Sequence, residues 1–154
     1  MNIEQSVIFH LGNLTKIVNN KANHIFQNAG YQVRIEQVPV LMTLYYHGNL
    51  SQQELANLVG RDKSSIQRTV VTLCKNRFIR IDSDWADKRK NIVVLTDSGR
   101  QLTQTMEQGM IHLEAVLFSH IRKADQEQLI QMIKLIEGKI TATQSIDTLL
   151  QIAS

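Results

Sequence analysis

LSQQELANLVGRDKSSIQRTVVTLCKNR, residues 50–77, contains two helix starts separated by one glycine. Ser51 is followed three residues later by Glu54. That pairing is a capping box, in which two side chains satisfy the free backbone donors at a helix start. The apolar run that follows is short and stops at Gly60, a residue suited to the left-handed turn after a helix. Asp62 then caps a second helix whose inward face is Ile66, Val70 and Leu73. Two short helices joined by a turn of about four residues form a helix-turn-helix.

Downstream, FIRI (78–81) and NIVVL (91–95) are rich in β-branched residues and predict two strands. The segment between them, DSDWADKRK (82–90), is long for a hairpin tip and carries Trp85 and three consecutive basic residues. A basic tip held out by two strands behind a helix-turn-helix makes a winged helix-turn-helix. Upstream, apolar spacing predicts a helix over about 5–29 that stops at Gly30, and another over Glu36–Tyr46 with Pro39 in its first turn. Beyond the wing, Thr96 is expected to cap a helix over Asp97–Arg122, and Asp125 a further one over QEQLIQMIKLIEGKI (126–140). SIDTLLQIAS (145–154) continues as helix.

The fold class expected is mainly α, α+β by strict count: a winged helix-turn-helix with flanking N- and C-terminal dimerisation helices. The 154 residues form a single winged-helix chain. About 34–96 is its DNA-binding lobe, and about 1–30 with 97–154 its dimerisation lobe. The terminal helices carry apolar residues over more of their circumference than one small lobe covers, so a second copy is expected against them.

Composition narrows the function classes. A hydrophobic fraction of 43% supports a folded core. No run of about 18 apolar residues spans a membrane, and the first residues lack the pattern of a signal peptide. The lone Cys74 cannot form an internal disulfide, which fits a reducing, cytoplasmic setting. Residues 61–90 hold nine basic against four acidic residues, while the rest of the chain holds eight against ten. A basic middle between slightly acidic ends is the footprint of a polyanion-binding lobe.

The sequence resembles the MarR family of bacterial transcription regulators. LSQQELANLVGRDKSSIQRTVVTLCKNRFI looks like the family's helix-turn-helix, and DKRKNIVVLTDSG like its wing signature. The resemblance implies a homodimeric, sequence-specific DNA-binding regulator, a repressor released by a small-molecule effector. It also implies that Arg89 enters the minor groove and that Asp87 orients it. Where the family carries Gly before the first wing strand this chain has Arg77, and Asn76 is expected to take the left-handed conformation instead. Ala86 replaces the basic residue common before the wing Asp, a loss for which Lys90 compensates.

On the second helix of the motif, Arg61, Lys63, Ser64, Ser65, Gln67, Arg68 and Lys75 carry the group types that bind base edges and phosphates. A plain solvated face is the competing reading. Lys88 and Lys90 in the wing suit phosphate contact, against the alternative of a charged surface hairpin. Trp85 packs under the wing, touches a sugar or stands exposed. The family's redox sensors carry their thiol in the first helix, which has no cysteine here, so Cys74 reads as a passive thiol. His10, His24, His47, His112 and His120 show no chelating spacing, so no metal is expected. Tyr31, Tyr45, Tyr46 and His47 fit an effector cavity and core packing equally well. No phosphate loop, nucleophile elbow or ligand cluster marks an enzyme, and no cofactor is implied. The rival from another class is a winged-helix protein-interaction module without specific DNA binding. The partners expected are double-stranded DNA with an imperfect palindrome, a second copy and a possible effector.

Overall fold

The computed structural model describes residues 3–84, 88 and 90–142. A 3₁₀ turn over Ile3–Gln5 leads into α1 (Val7–Asn28), and a second over Ile35–Gln37 leads into α2 (Val38–His47). Then follow α3 (Gln52–Val59), α4 (Lys63–Lys75), β1 (Ile79–Ser83), β2 (Asn91–Leu95), α5 (Asp97–Leu117) and α6 (Lys123–Ala142). The molecule is mainly helical, with the winged helix-turn-helix expected. It divides into two units, Met1–Glu107 and Gln108–Ser154, with the division inside α5.

The first unit is built on an apolar cluster that draws one face from each motif helix. Leu41, Leu44, Leu55, Ile66, Leu73, Ile79 and Val93 are fully buried there, and Leu102 and Met106 of α5 close it. Pro39 sits in the first turn of α2, where its missing N–H has no helical partner to lose. The cap of α3 is reciprocal: the Glu54 N–H donates to Ser51 Oγ at 3.2 Å, and the Ser51 N–H to Glu54 Oε2 at 2.7 Å. Gly60, at φ 70°, ends the helix and turns the chain toward α4. Among these elements α1 is attached at its far end, where Asn23 Oδ1 accepts from the Ile35 N–H at 2.8 Å and Phe26 packs on the cluster.

The wing strands pair antiparallel from Ile79↔Leu95 to Ser83↔Asn91. β1 therefore runs through Asp82 and Ser83, and the expected tip over 82–90 shortens to 84–90. The Asp84 N–H donates to the Lys90 carbonyl at 2.8 Å and closes its base. A feature unforeseen in the sequence joins the wing to the motif. Leu50, just before α3, bridges Val93, with the Val93 N–H donating to the Leu50 carbonyl at 2.7 Å and the return bond at 3.3 Å.

The end of α4 corrects one expectation. Arg77 itself takes the left-handed conformation at φ 63°, while Asn76 stays at φ −83°. The Phe78 N–H reaches back to the Leu73 carbonyl at 3.0 Å and the Arg77 N–H to Cys74 at 2.9 Å. That is the Schellman pattern, which puts the left-handed residue one position after the cap. Asn76 occupies the cap and spends its side-chain amide on the Gln32 carbonyl. Because a left-handed residue with a Cβ costs about 1–2 kcal/mol, Arg77→Gly should raise stability by about 1 kcal/mol. The gain is trimmed by glycine's freedom in the unfolded chain. A higher urea midpoint at unchanged m-value is the expected readout, and an unchanged or lower midpoint contradicts it.

The start of α5 is tied to the start of β1. The Phe78 carbonyl accepts from the Thr96 N–H at 3.1 Å, and the Gly99 N–H donates to Thr96 Oγ1 at 3.0 Å. Thr96 Oγ1 lies 2.7 Å from the Arg77 carbonyl, to which Ser98 Oγ also donates at 2.9 Å. Thr96 thus caps α5 as expected. Gly99 is buried directly beneath the Phe78 carbonyl, where a Cβ would overlap backbone.

In the second unit α5 ends at Leu117, earlier than the expected Arg122. The Gln126 side-chain amide donates to the Phe118 and Ile121 carbonyls at 3.1 and 2.7 Å, occupying acceptors that a continuing helix would have used. α6 begins at Lys123, so Asp125 lies inside its first turn rather than capping it. Its carboxylate instead takes a two-pronged bond from Arg122 at 2.8 and 3.0 Å. Neither α1 nor α6 has a fully buried residue. The expected helix over 145–154 lies outside the described residues. No described helix is long and apolar enough to cross a membrane.

Candidate nucleic-acid interface

α4 presents two faces fixed by its period of 3.6 residues. Ile66, Val70 and Leu73 lock one face into the core, so their opposites must point outward. Ser64, Arg68, Val71 and Lys75, spaced i, i+4, i+7 and i+11, form that outward stripe and are all exposed. Gln67 flanks it, also exposed, and Ser65 is half-buried. Asp62 sets the entry of the helix. Its carboxylate accepts from the Ser64 hydroxyl and from the Ser65 N–H at 2.8 Å. Those two bonds, with help from the Arg68 charge, hold its carboxyl below the ordinary value. Ser64 is therefore already committed to the cap, while Lys63, Gln67, Arg68 and Lys75 project from a rigid surface.

Arg61 is placed differently from these. It is half-buried, and its Nη1 donates to the Glu36 carbonyl at 2.7 Å, linking the motif's turn to the segment before α2. In the wing, Lys88 and Lys90 are exposed. Lys90 and Asp84 act electrostatically on Glu54, whose carboxyl is held below its ordinary value first by its bonds to Ser51 and then by the Lys90 charge. The wing base thus stands beside the start of α3. Asp87 and Arg89, the two wing residues implied by resemblance, and Trp85 and Ala86 lie outside the described residues.

Val71, next to the core residue Val70, is not among the residues expected from the sequence. It is 61% exposed, and its place seven residues after Ser64 was the available signal. Of the four residues that fitted a cavity or core packing, only Tyr45 packs on the core. Tyr45 is half-buried on the core, its hydroxyl accepts from Gln104 Nε2 at 3.1 Å, and the Arg100 guanidinium lies 5.6 Å from its ring centre. Tyr46 is exposed and meets Tyr45 edge-on. Tyr31 and His47 are exposed. Cys74 is half-buried against the core, and burial pushes its thiol above the ordinary value, which disfavours the reactive thiolate. Among the described residues no group of three or more His, Cys, Asp or Glu is placed to hold a metal ion.

The capped motif, the exposed stripe of α4 and the paired strands beside it define a winged helix-turn-helix protein. Residues 34–90, a span that holds the motif and β1 and stops just before β2, match the MarR family model. The HTH-type transcriptional repressor NicR of Pseudomonas putida is 29% identical over 107 residues, 68% of each chain. Among solved structures, a MarR/EmrR family regulator from Acinetobacter sp. ADP1 superposes with a TM-score of 0.80 at 21% identity, over 93% of this chain and 100% of that one. MepR of S. aureus, solved in complex with DNA, superposes with a TM-score of 0.79 at 19% identity, over 88% and 98%. The chain is thus similar to the MarR family over residues 34–90 and shares the fold of the solved MarR-type regulators.

Proposed function

We propose that the protein is a homodimeric, sequence-specific DNA-binding repressor of the cytoplasm, released by a small-molecule effector. The observation that carries this reading is the outward stripe of α4, polar and basic, beside a wing whose described residues include Lys88 and Lys90. The lobe over about 34–96 meets DNA, and 1–30 with 97–154 forms the dimer. Two related recognition helices then enter successive major grooves about 34 Å apart, so the operator is an imperfect palindrome. NicR's name as a repressor and MepR's DNA complex support the same reading. Within it, Gln67 and Arg68 read base edges, Ser64 and Ser65 fix the helix start, and Lys63, Lys75, Lys88 and Lys90 hold phosphates. Arg61 braces the turn and meets the backbone.

Selection of bound fragments from sheared genomic DNA, followed by anisotropy titrations, tests this. Arg68→Ala should lose about 1–3 kcal/mol on the operator and relax its base preference. Lys75→Ala should weaken operator and random DNA alike and flatten the salt dependence. Equal affinity for operator and random DNA in the parent, insensitive to salt, would instead favour a protein-interaction module.

The wing is assigned its own role. Arg89, oriented by Asp87, enters the minor groove, where focused negative potential favours a weakly hydrated guanidinium over an ammonium. Arg89→Lys should therefore bind the operator more weakly at unchanged net charge, and Arg89→Ala more weakly still, with dimerisation intact. Parent-like binding by Arg89→Ala at physiological salt would reduce the wing to a charged hairpin.

A further inference from the structure

We propose that Val71 reads the methyl group of one thymine in each operator half-site, an inference that rests on α4 being the DNA-reading helix. Val71 is 61% exposed in the middle of the outward stripe, four residues from Lys75 and three from Arg68. Among the described residues between Ile35 and Leu95, the other exposed large apolar side chains are Tyr46 at 61%, Leu58 at 52% and Ile81 at 45%, none of them on α4. The remaining exposed apolar residues fall mainly on α1, α5 and α6. Val71 is thus an isolated apolar point on a polar, basic face rather than part of an apolar patch.

A β-branched residue on an exposed helix face lowers helix propensity and gains nothing from burial within this chain. Its surroundings say what it can meet. The arginine and lysine beside it suit base acceptors and phosphates, and a lysine is a poor neighbour for the apolar core of a protein interface. On the major-groove edges of DNA the apolar feature is the thymine C5-methyl, which apolar side chains contact directly. Valine's stiff, short side chain offers two methyl groups at fixed positions. Three residues of helix advance about 4.5 Å, so the thymine lies one base step or so from the base met by Arg68.

The test removes that methyl alone. In the selected operator each thymine is replaced in turn by deoxyuridine, symmetrically in the two half-sites, and binding is measured for the parent and for Val71→Ala. The parent should lose about fourfold per half-site at one thymine position, the worth of one buried methyl group. Val71→Ala, already weaker on the unmodified operator by about the same factor, should show no further loss at that position. Uniform tolerance of deoxyuridine by the parent, or the same loss in Val71→Ala, overturns the assignment and leaves the DNA-binding function standing. A parent that prefers no sequence overturns the DNA-reading function itself and Val71's part with it. Val71 supports no core contact, so circular dichroism of Val71→Ala should match the parent.

Discussion

Gly99→Ala should cost about 3 kcal/mol of folding stability, near the top of the range for overpacking a closed site. The new Cβ meets the Phe78 carbonyl oxygen, lies 2.8 Å from its carbonyl carbon and 3.1 Å from Leu95 Cδ2. A flexible side chain would swing away, but a carbonyl held by the Thr96 N–H cannot move without opening the junction of β1 and α5. Alanine's better helix propensity, about 1 kcal/mol, does not offset that overlap. Thr103 adds to the constraint, since its buried hydroxyl donates to the Gly99 carbonyl at 2.7 Å. Gly109→Ala is the control: nothing lies within 4 Å of its Cβ position in α5, so it should gain stability instead. Urea midpoints at one fixed protomer concentration decide the matter, and comparable midpoints for the two variants would show that the junction yields.

The second large effect concerns assembly. Sedimentation of the parent at micromolar concentration should show a dimer, and Leu135→Glu should shift it to monomer. Leu14 on α1 and Leu135 on α6 are 58% and 69% exposed, with Ile17, Leu129 and Met132 similarly bare. Helices whose apolar residues are uncovered in this way gain stability only against further apolar surface. A glutamate placed in that surface would be buried without a partner, a cost of several kcal/mol. If each protomer grips one half-site, as proposed, loss of the dimer should lower operator affinity by about 10²-fold or more, while affinity for an isolated half-site holds. A monomeric parent, or a Leu135→Glu variant that still sediments as a dimer, refutes the role given to these helices.

Much of this was legible in the residues because the relevant signals are local. Ser51 with Glu54, Gly60 and Asp62 each act within one helical turn, and the structure returns their bonds where they were expected. The core face of α4 followed from its period. The misreadings all involve partners distant in sequence or competition among neighbours. The Leu50–Val93 bridge joins residues with no sequence relation, and the end of α5 depends on Gln126 reaching back. Arg77 rather than Asn76 turned left-handed because backbone bonds to Leu73 and Cys74 fix that position, against the preference of the side chains. Val71 lies off the inward face of Ile66, Val70 and Leu73, and as an apolar residue it lacks the polar groups that mark the other candidates on α4.

The bridge between Leu50 and Val93 bears on which DNA the protein can tolerate. A two-stranded hairpin alone is marginally stable and free to sway. Here the strand nearer the motif is pinned to the residue that opens α3, and α3 leads directly into α4. If α4 reads the major groove and the wing the minor groove, as proposed, the two contacts are held at a set separation, like the jaws of a caliper locked at one gauge. A duplex whose groove widths do not match that gauge must deform to be bound, and stiffness varies with base sequence. Part of the operator's identity will then reside in base pairs between helix and wing that no side chain touches.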